Sequence, residues 1–147
     1  PPKPSSAASD VYKRQLPLLG IYNASKWAVE GISESLAQEV KQFGINISLV
    51  EPNGFATDWA GASAAQSEPI SAYDGLRTSF GEASSQEGFF GDPAATPEAI
   101  LKLVDAENPP LRLFLGKQAF PWAKQVYADR IAEWEAWNDV AVAAHGA

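Results

Sequence analysis

Between Ile21 and Phe43, apolar residues recur at every fourth position, Ala28, Ile32, Leu36 and Val40, with Glu34, Glu39 and Lys41 elsewhere on the turn. The spacing is close to the 3.6-residue period of an α-helix, so it predicts one long helix whose apolar stripe faces a core. Gly44 follows the last turn, where a residue without a Cβ commonly ends a helix. The pattern then changes. Ile45 to Val50 (INISLV) is a short β-branched and apolar run with two polar interruptions, as expected of a strand covered on both faces. Pro52 and Gly54 close it. Helix, glycine, buried strand and turn make half of a strand-helix-strand unit, and ligands in such sheets bind beyond the C-terminal strand ends.

Residues 60–91 are rich in Gly, Ser and Ala, yet Tyr73, Leu76, Phe80, Phe89 and Phe90 are spread through them. The segment is too long for a plain connection, which predicts a substrate lid containing a short helix near Ala72 to Glu82. Asp92 before Pro93 predicts an N-cap, and Ile100, Leu101, Leu103 and Val104 mark a helix that ends before Pro109 and Pro110. Leu111 to Leu115 (LRLFL) predicts a second strand. Phe120 to Ala144 predicts a surface helix packed on the sheet through Tyr127, Ile131 and Trp134.

Residues 1–15 differ in character, being rich in Pro, Ser and Ala without helical or strand period. Ser5 to Gln15 resembles the translation of a transposase sequencing-library adapter, so this leader is expected to be non-native or disordered, with the domain proper at 16–147. The 46 % hydrophobic content is enough for a core. With no cysteine and one histidine, His145, neither a disulfide nor a thiolate or histidine metal site can form, so no metal is expected. A net charge of -7 without a basic cluster makes nucleic acid an unsuitable partner. No apolar run approaches a membrane span, and no secretion signal is visible, so a cytoplasmic location is expected.

Tyr22 and Lys26 lie four residues apart, which puts them on one helix face, one turn from each other. A phenol titrates too high for proton transfer at neutral pH, and a nearby ammonium favours its ionised form. A tyrosine tuned in this way can give a proton to a carbonyl or take one from an alcohol. By itself the pair is also what an ordinary helix surface produces. Its context is more specific: Tyr22-Asn23-Ala24-Ser25-Lys26-Trp27-Ala28-Val29-Glu30-Gly31 resembles the active-site helix of short-chain dehydrogenases/reductases. Further on, Glu51-Pro52-Asn53-Gly54-Phe55-Ala56-Thr57-Asp58-Trp59 resembles that family's Pro-Gly loop. Asn53 stands where the family usually has glycine, and asparagine is the other residue that best tolerates a left-handed backbone, so the turn is expected to survive.

The resemblance implies the C-terminal half of a Rossmann-type doubly wound parallel sheet, incomplete, in an NAD(P)-binding α/β catalytic domain. It implies hydride transfer between NAD or NADP and a small-molecule carbonyl or secondary alcohol, with Tyr22 as general acid/base and Lys26 holding the nicotinamide ribose. It gives the loop Pro52, Asn53, Gly54 and Phe55 to the nicotinamide carboxamide, and the Thr57 hydroxyl to the carboxamide or pyrophosphate. It also implies a parent homodimer or homotetramer, since Ala24, Ala28 and Gly31 allow close helix packing. The glycine-rich turn and the catalytic serine of the family are not found; Ser9 has the right spacing but lies in the adapter-like run and is not assigned. The chain as given is therefore expected to be inactive. A non-catalytic Rossmann-type binding or dimerisation module is the alternative, against which Tyr22, Lys26 and Thr57 stand.

Overall fold

The computed structural model describes residues 17–60, 67–85 and 87–146. The leader at 1–15, including Ser9, lies outside the described residues. Helix α1 runs over Gly20–Val40 and tightens into a 3-10 turn at Lys41–Phe43. Gly44 ends it in the left-handed conformation, φ 71°. Strand β1 is Leu49–Pro52 and strand β2 is Arg112–Leu115; they pair in parallel, with Leu49 opposite Arg112 and Pro52 opposite Leu115. Between them come a 3-10 turn at Ser71–Tyr73, helix α2 (Asp74–Ser84), a 3-10 turn at Pro93–Ala95 and helix α3 (Pro97–Val104). Helices α4 (Ala119–Ala136) and α5 (Asn138–Ala143) close the chain, so the single helix expected at the end is divided at Trp137. No described helix is long and apolar enough to cross a membrane.

The order of elements matches the hydrophobic pattern, but β1 begins at Leu49 rather than Ile45 and runs on to Pro52. Its partner decides this. The Leu49 amide donates to the Leu111 carbonyl at 2.7 Å, the Asn53 amide donates to the Leu115 carbonyl at 2.8 Å, and Ile45 is left 52 % exposed. Pro52 is tolerated because it ends the strand, where a missing amide removes little of the ladder. Asp92 does cap, accepting from the Ala94 amide at 2.9 Å, although it caps the 3-10 turn while α3 starts at Pro97.

Two helices turn faces inward that their apolar periods did not mark. In α1 the buried residues are Asn23 and Glu30, flanked by half-buried Lys26, Ser33 and Ala37. Ala28, Ile32 and Leu36 are exposed. In α4 Ala119 and Ala123 are buried, whereas Tyr127, Ile131 and Trp134 are exposed. A hydrophobic period locates a stripe, but it cannot say which surface the stripe meets. Among the described residues the buried apolar ones are few: Leu49, Pro52 and Leu115 from the sheet, Leu103 from α3, and the two α4 alanines.

Candidate active site

The first turns of α1 stand beside the loop that leaves β1. Tyr22 is half-buried, and its ring meets the edge of Trp59 with centroids 5.4 Å apart and planes at 63°. The Lys26 ammonium lies 5.3 Å from the centroid of the same tyrosine ring, within cation–π range. The two side chains therefore share one face of α1, as the four-residue spacing requires, and that face looks towards the segment following β1. The Ser25 hydroxyl donates to the Tyr22 carbonyl at 2.7 Å, which occupies it within the helix.

Pro52 is buried at the end of β1 and Asn53 behind it is 5 % exposed. Asn53 does not take the left-handed conformation expected of it: Leu18 is the one non-glycine residue at positive φ among those described. The reason is that its backbone still belongs to the ladder, through the bond to Leu115. Its side chain has a separate use. The carboxamide donates to the Gly54 carbonyl at 3.0 Å and to the Phe89 carbonyl at 3.5 Å, tying the loop to the far end of the lid. That carboxamide lies against the α-carbon of Gly116, whose φ is 101° and where an added Cβ would collide with it. Only glycine satisfies both conditions.

The end of the segment expected to form a lid meets the loop as a one-pair parallel bridge between Phe55 and Gly91. The Gly91 amide donates to the Gly54 carbonyl at 2.8 Å, and the Ala56 amide donates to the Gly91 carbonyl at 2.9 Å. This pattern turns the amide and carbonyl of Phe55 itself to the opposite side. A Cβ on Gly91 would lie 2.8 Å from the Phe55 ring, so the approach needs glycine here too. Phe55, Ala56, Thr57, Asp58 and Phe90 line an open cavity of about 480 Å³. Two of the five lining residues, Phe55 and Phe90, are aromatic, and Phe90 is backed by Phe89, which packs edge-on against it at 5.0 Å and tilted against Trp122 of α4 at 6.0 Å. Thr57 is exposed at its rim.

The sequence reading missed an ionic cluster behind this site. Glu30 of α1 is 2 % exposed and Glu51 of β1 is 0 % exposed. Arg112 of β2 donates from Nε to Glu30 Oε2 at 2.9 Å and from a terminal nitrogen to Glu34 Oε2 at 2.7 Å, with Glu51 Oε1 3.6 Å away. Partial burial works against the Arg112 charge, but the hydrogen bonds and charges of Glu34 and Glu30 outweigh it and raise its pKa above the ordinary arginine value. A signal was available in the chain: a glutamate and an arginine inside two short apolar strands rarely stand there without partners.

Residues 5–68 match the family model described as short chain dehydrogenase, a match that begins within the segment read as a foreign leader. The chain is 38 % identical over 131 residues to an oxidoreductase of Botryotinia fuckeliana, covering 86 % of this chain and 47 % of that protein. It is 36 % identical over 109 residues to a 3-ketodihydrosphingosine reductase of Bacteroides thetaiotaomicron, covering 69 % of this chain and 39 % of that one. Among solved structures it superposes on a short-chain dehydrogenase from Streptomyces avermitilis with a TM-score of 0.78 and 35 % identity, over 94 % of this chain and 50 % of that one. The chain thus spans half or less of the length of the relatives it matches. Its two parallel strands and flanking helices are the C-terminal half of a Rossmann-type doubly wound sheet.

Proposed function

This chain belongs to the short-chain dehydrogenase/reductase family, and from that premise we propose that it serves hydride transfer between NAD or NADP and a carbonyl or secondary alcohol. The observation that carries the reading is the placement of the Lys26 ammonium beside the Tyr22 ring, with that ring against Trp59 of the segment that follows β1. Tyr22 gives its hydroxyl proton to the substrate oxygen in reduction and takes it back in oxidation. Lys26 supplies the positive charge that favours the ionised phenol and a donor for a ribose hydroxyl.

The donor set fits a nicotinamide nucleoside. An ammonium on Lys26, hydroxyls on Tyr22 and Thr57, and the outward amide and carbonyl of Phe55 are the groups that ribose and carboxamide take. With the Asn53 amide and the Gly54 carbonyl already bonded, Phe55 is the loop residue whose backbone is turned to hold the carboxamide. NAD or NADP, when bound, supplies or accepts the hydride. The rings of Phe55 and Phe90 on the cavity suit a carbonyl on an apolar body, such as the 3-ketodihydrosphingosine in the name of the Bacteroides relative. This chain by itself is not expected to turn over, because the relatives it matches are about twice its length or more.

The test is NAD(P)H oxidation with a panel of apolar ketones, using the longest reading frame that contains this chain. Turnover that Tyr22→Phe abolishes supports the reading. Absence of turnover and of NAD(P)H binding in that frame overturns it and leaves a binding or dimerisation module.

A further inference from the structure

The inward face of α1 is poor in apolar contact. Its buried residues are Asn23 and Glu30, whereas Ile21, Ile32 and Leu36 lie outside. Hydrophobic packing has no preferred direction, so it defines the rotation of a helix about its axis less sharply than directional bonds do. On this helix directional bonds come from one residue of β2. Arg112 forks onto Glu30 and Glu34, carboxylates one turn apart on α1, at 2.9 and 2.7 Å. A planar guanidinium with two carboxylate bonds restrains both position and angle, which a single point charge does not. The same strand fixes the loop, through the Leu115 carbonyl that accepts from the Asn53 amide. β2 therefore holds the helix and the loop in one frame.

We propose that Arg112 is a positioning residue that sets the rotation of α1 and so the placement of Tyr22 and Lys26 in the cleft. The proposal rests on the reading of Tyr22 and Lys26 as the reacting pair. Tyr22, Lys26, Glu30 and Glu34 follow one another at four-residue steps, so a torque at Glu30 and Glu34 is delivered through two turns of rigid helix. The lever is sensitive: with side-chain tips about 6 Å from the helix axis, a rotation of about 10° moves the phenol oxygen by about 1 Å. A displacement of that size costs up to about a hundredfold in rate when the reacting geometry must be met.

The experiment compares Arg112→Lys and Glu34→Gln with the unsubstituted protein, in the longest reading frame that contains this chain and well below each melting temperature. Arg112→Lys keeps the charge and loses the fork; its kcat is expected to fall about tenfold or more with the KM for NAD(P)H within about threefold. Glu34→Gln removes the charge from the outer arm and leaves a weaker, neutral acceptor, and since that carboxylate is 54 % exposed the variant will fold; its kcat is expected to fall about two- to fivefold. A second readout is independent of turnover. In protein with ring-labelled tyrosine, the Tyr22 resonance, assigned by its loss in Tyr22→Phe, senses the Trp59 ring and is expected to shift in both variants. A kcat within twofold of the unsubstituted value in folded Glu34→Gln and Arg112→Lys overturns the proposal, as does an unmoved Tyr22 resonance. If Arg112→Lys does not fold, Glu34→Gln decides alone. Absence of turnover in the unsubstituted protein would defeat the oxidoreductase reading instead, and the resonance would still test the frame.

Discussion

At its N-terminal end α1 sets the half-buried Tyr22 against the Trp59 ring with the Lys26 ammonium beside it, whereas two turns further on the same helix buries Glu30 to 2 % exposure against Arg112. Both stretches carry polar side chains inward, where an ordinary core helix would carry leucine. Their environments differ. Under the proposed reading Tyr22 exchanges a proton with a substrate, for which its half-buried position with Lys26 beside it is suited. A group that fixes geometry is best closed off, because a charge pair with little water near it is stronger and less screened. The cost of that closure is desolvation, which makes an ion pair of this kind a weak source of net stability but a strict one for geometry.

The comparison breaks most visibly at the open end. Tyr22→Phe is expected to lower kcat by about 10²–10⁴-fold while leaving the melting temperature nearly unchanged, as steady-state kinetics and thermal unfolding on the same preparation would show. At the closed end the ranking reverses. Arg112→Met leaves Glu30 buried without its guanidinium and is expected to lower unfolding free energy by about 3–5 kcal/mol in urea titration. Equal stability losses from the two substitutions would erase the distinction drawn between them.

A smaller effect probes the joint between loop and β2. Gly116→Ala forces a Cβ into an unfavourable φ and against the Asn53 carboxamide, so a loss of about 1–3 kcal/mol is expected. In an Asn53→Gly background the collision disappears and only the backbone strain remains, so the double-mutant cycle should show a coupling of at least about 0.5 kcal/mol. Additive losses would mean that the carboxamide moves aside without cost. The smallest effect belongs to the surface pair Arg77 and Asp74, 3.0 Å apart and exposed. Asp74→Asn there should change stability by no more than about 0.5 kcal/mol, which sets the scale against which the Arg112 cluster is judged.

Much of the site was legible because it is local. Tyr22 and Lys26 needed only the helical period to be placed on one face, and Asp92 needed only its position before Pro93 to be read as a cap. Asn53 was read as a tolerated substitute for glycine, and here local reasoning failed. Its backbone is held by Leu115 and its side chain by Phe89, residues far along the chain whose approach no spacing reveals. Arg112 escaped for the same reason, although its position inside an apolar strand hinted at a buried partner.

From the sequence alone came the alternation of helix and strand, the order of the elements, and the residues of helix and loop proposed for the chemistry, since these depend on periods and turns within a few residues. Tertiary structure decided the register of β1, which begins where Leu111 offers its carbonyl and not where the β-branched run begins. It also decided which face of α1 is inward. Asn23 and Glu30 are the buried residues there rather than the apolar stripe, and the bonds from Arg112 to Glu30 and Glu34 join groups about eighty positions apart, a distance over which no local period carries information.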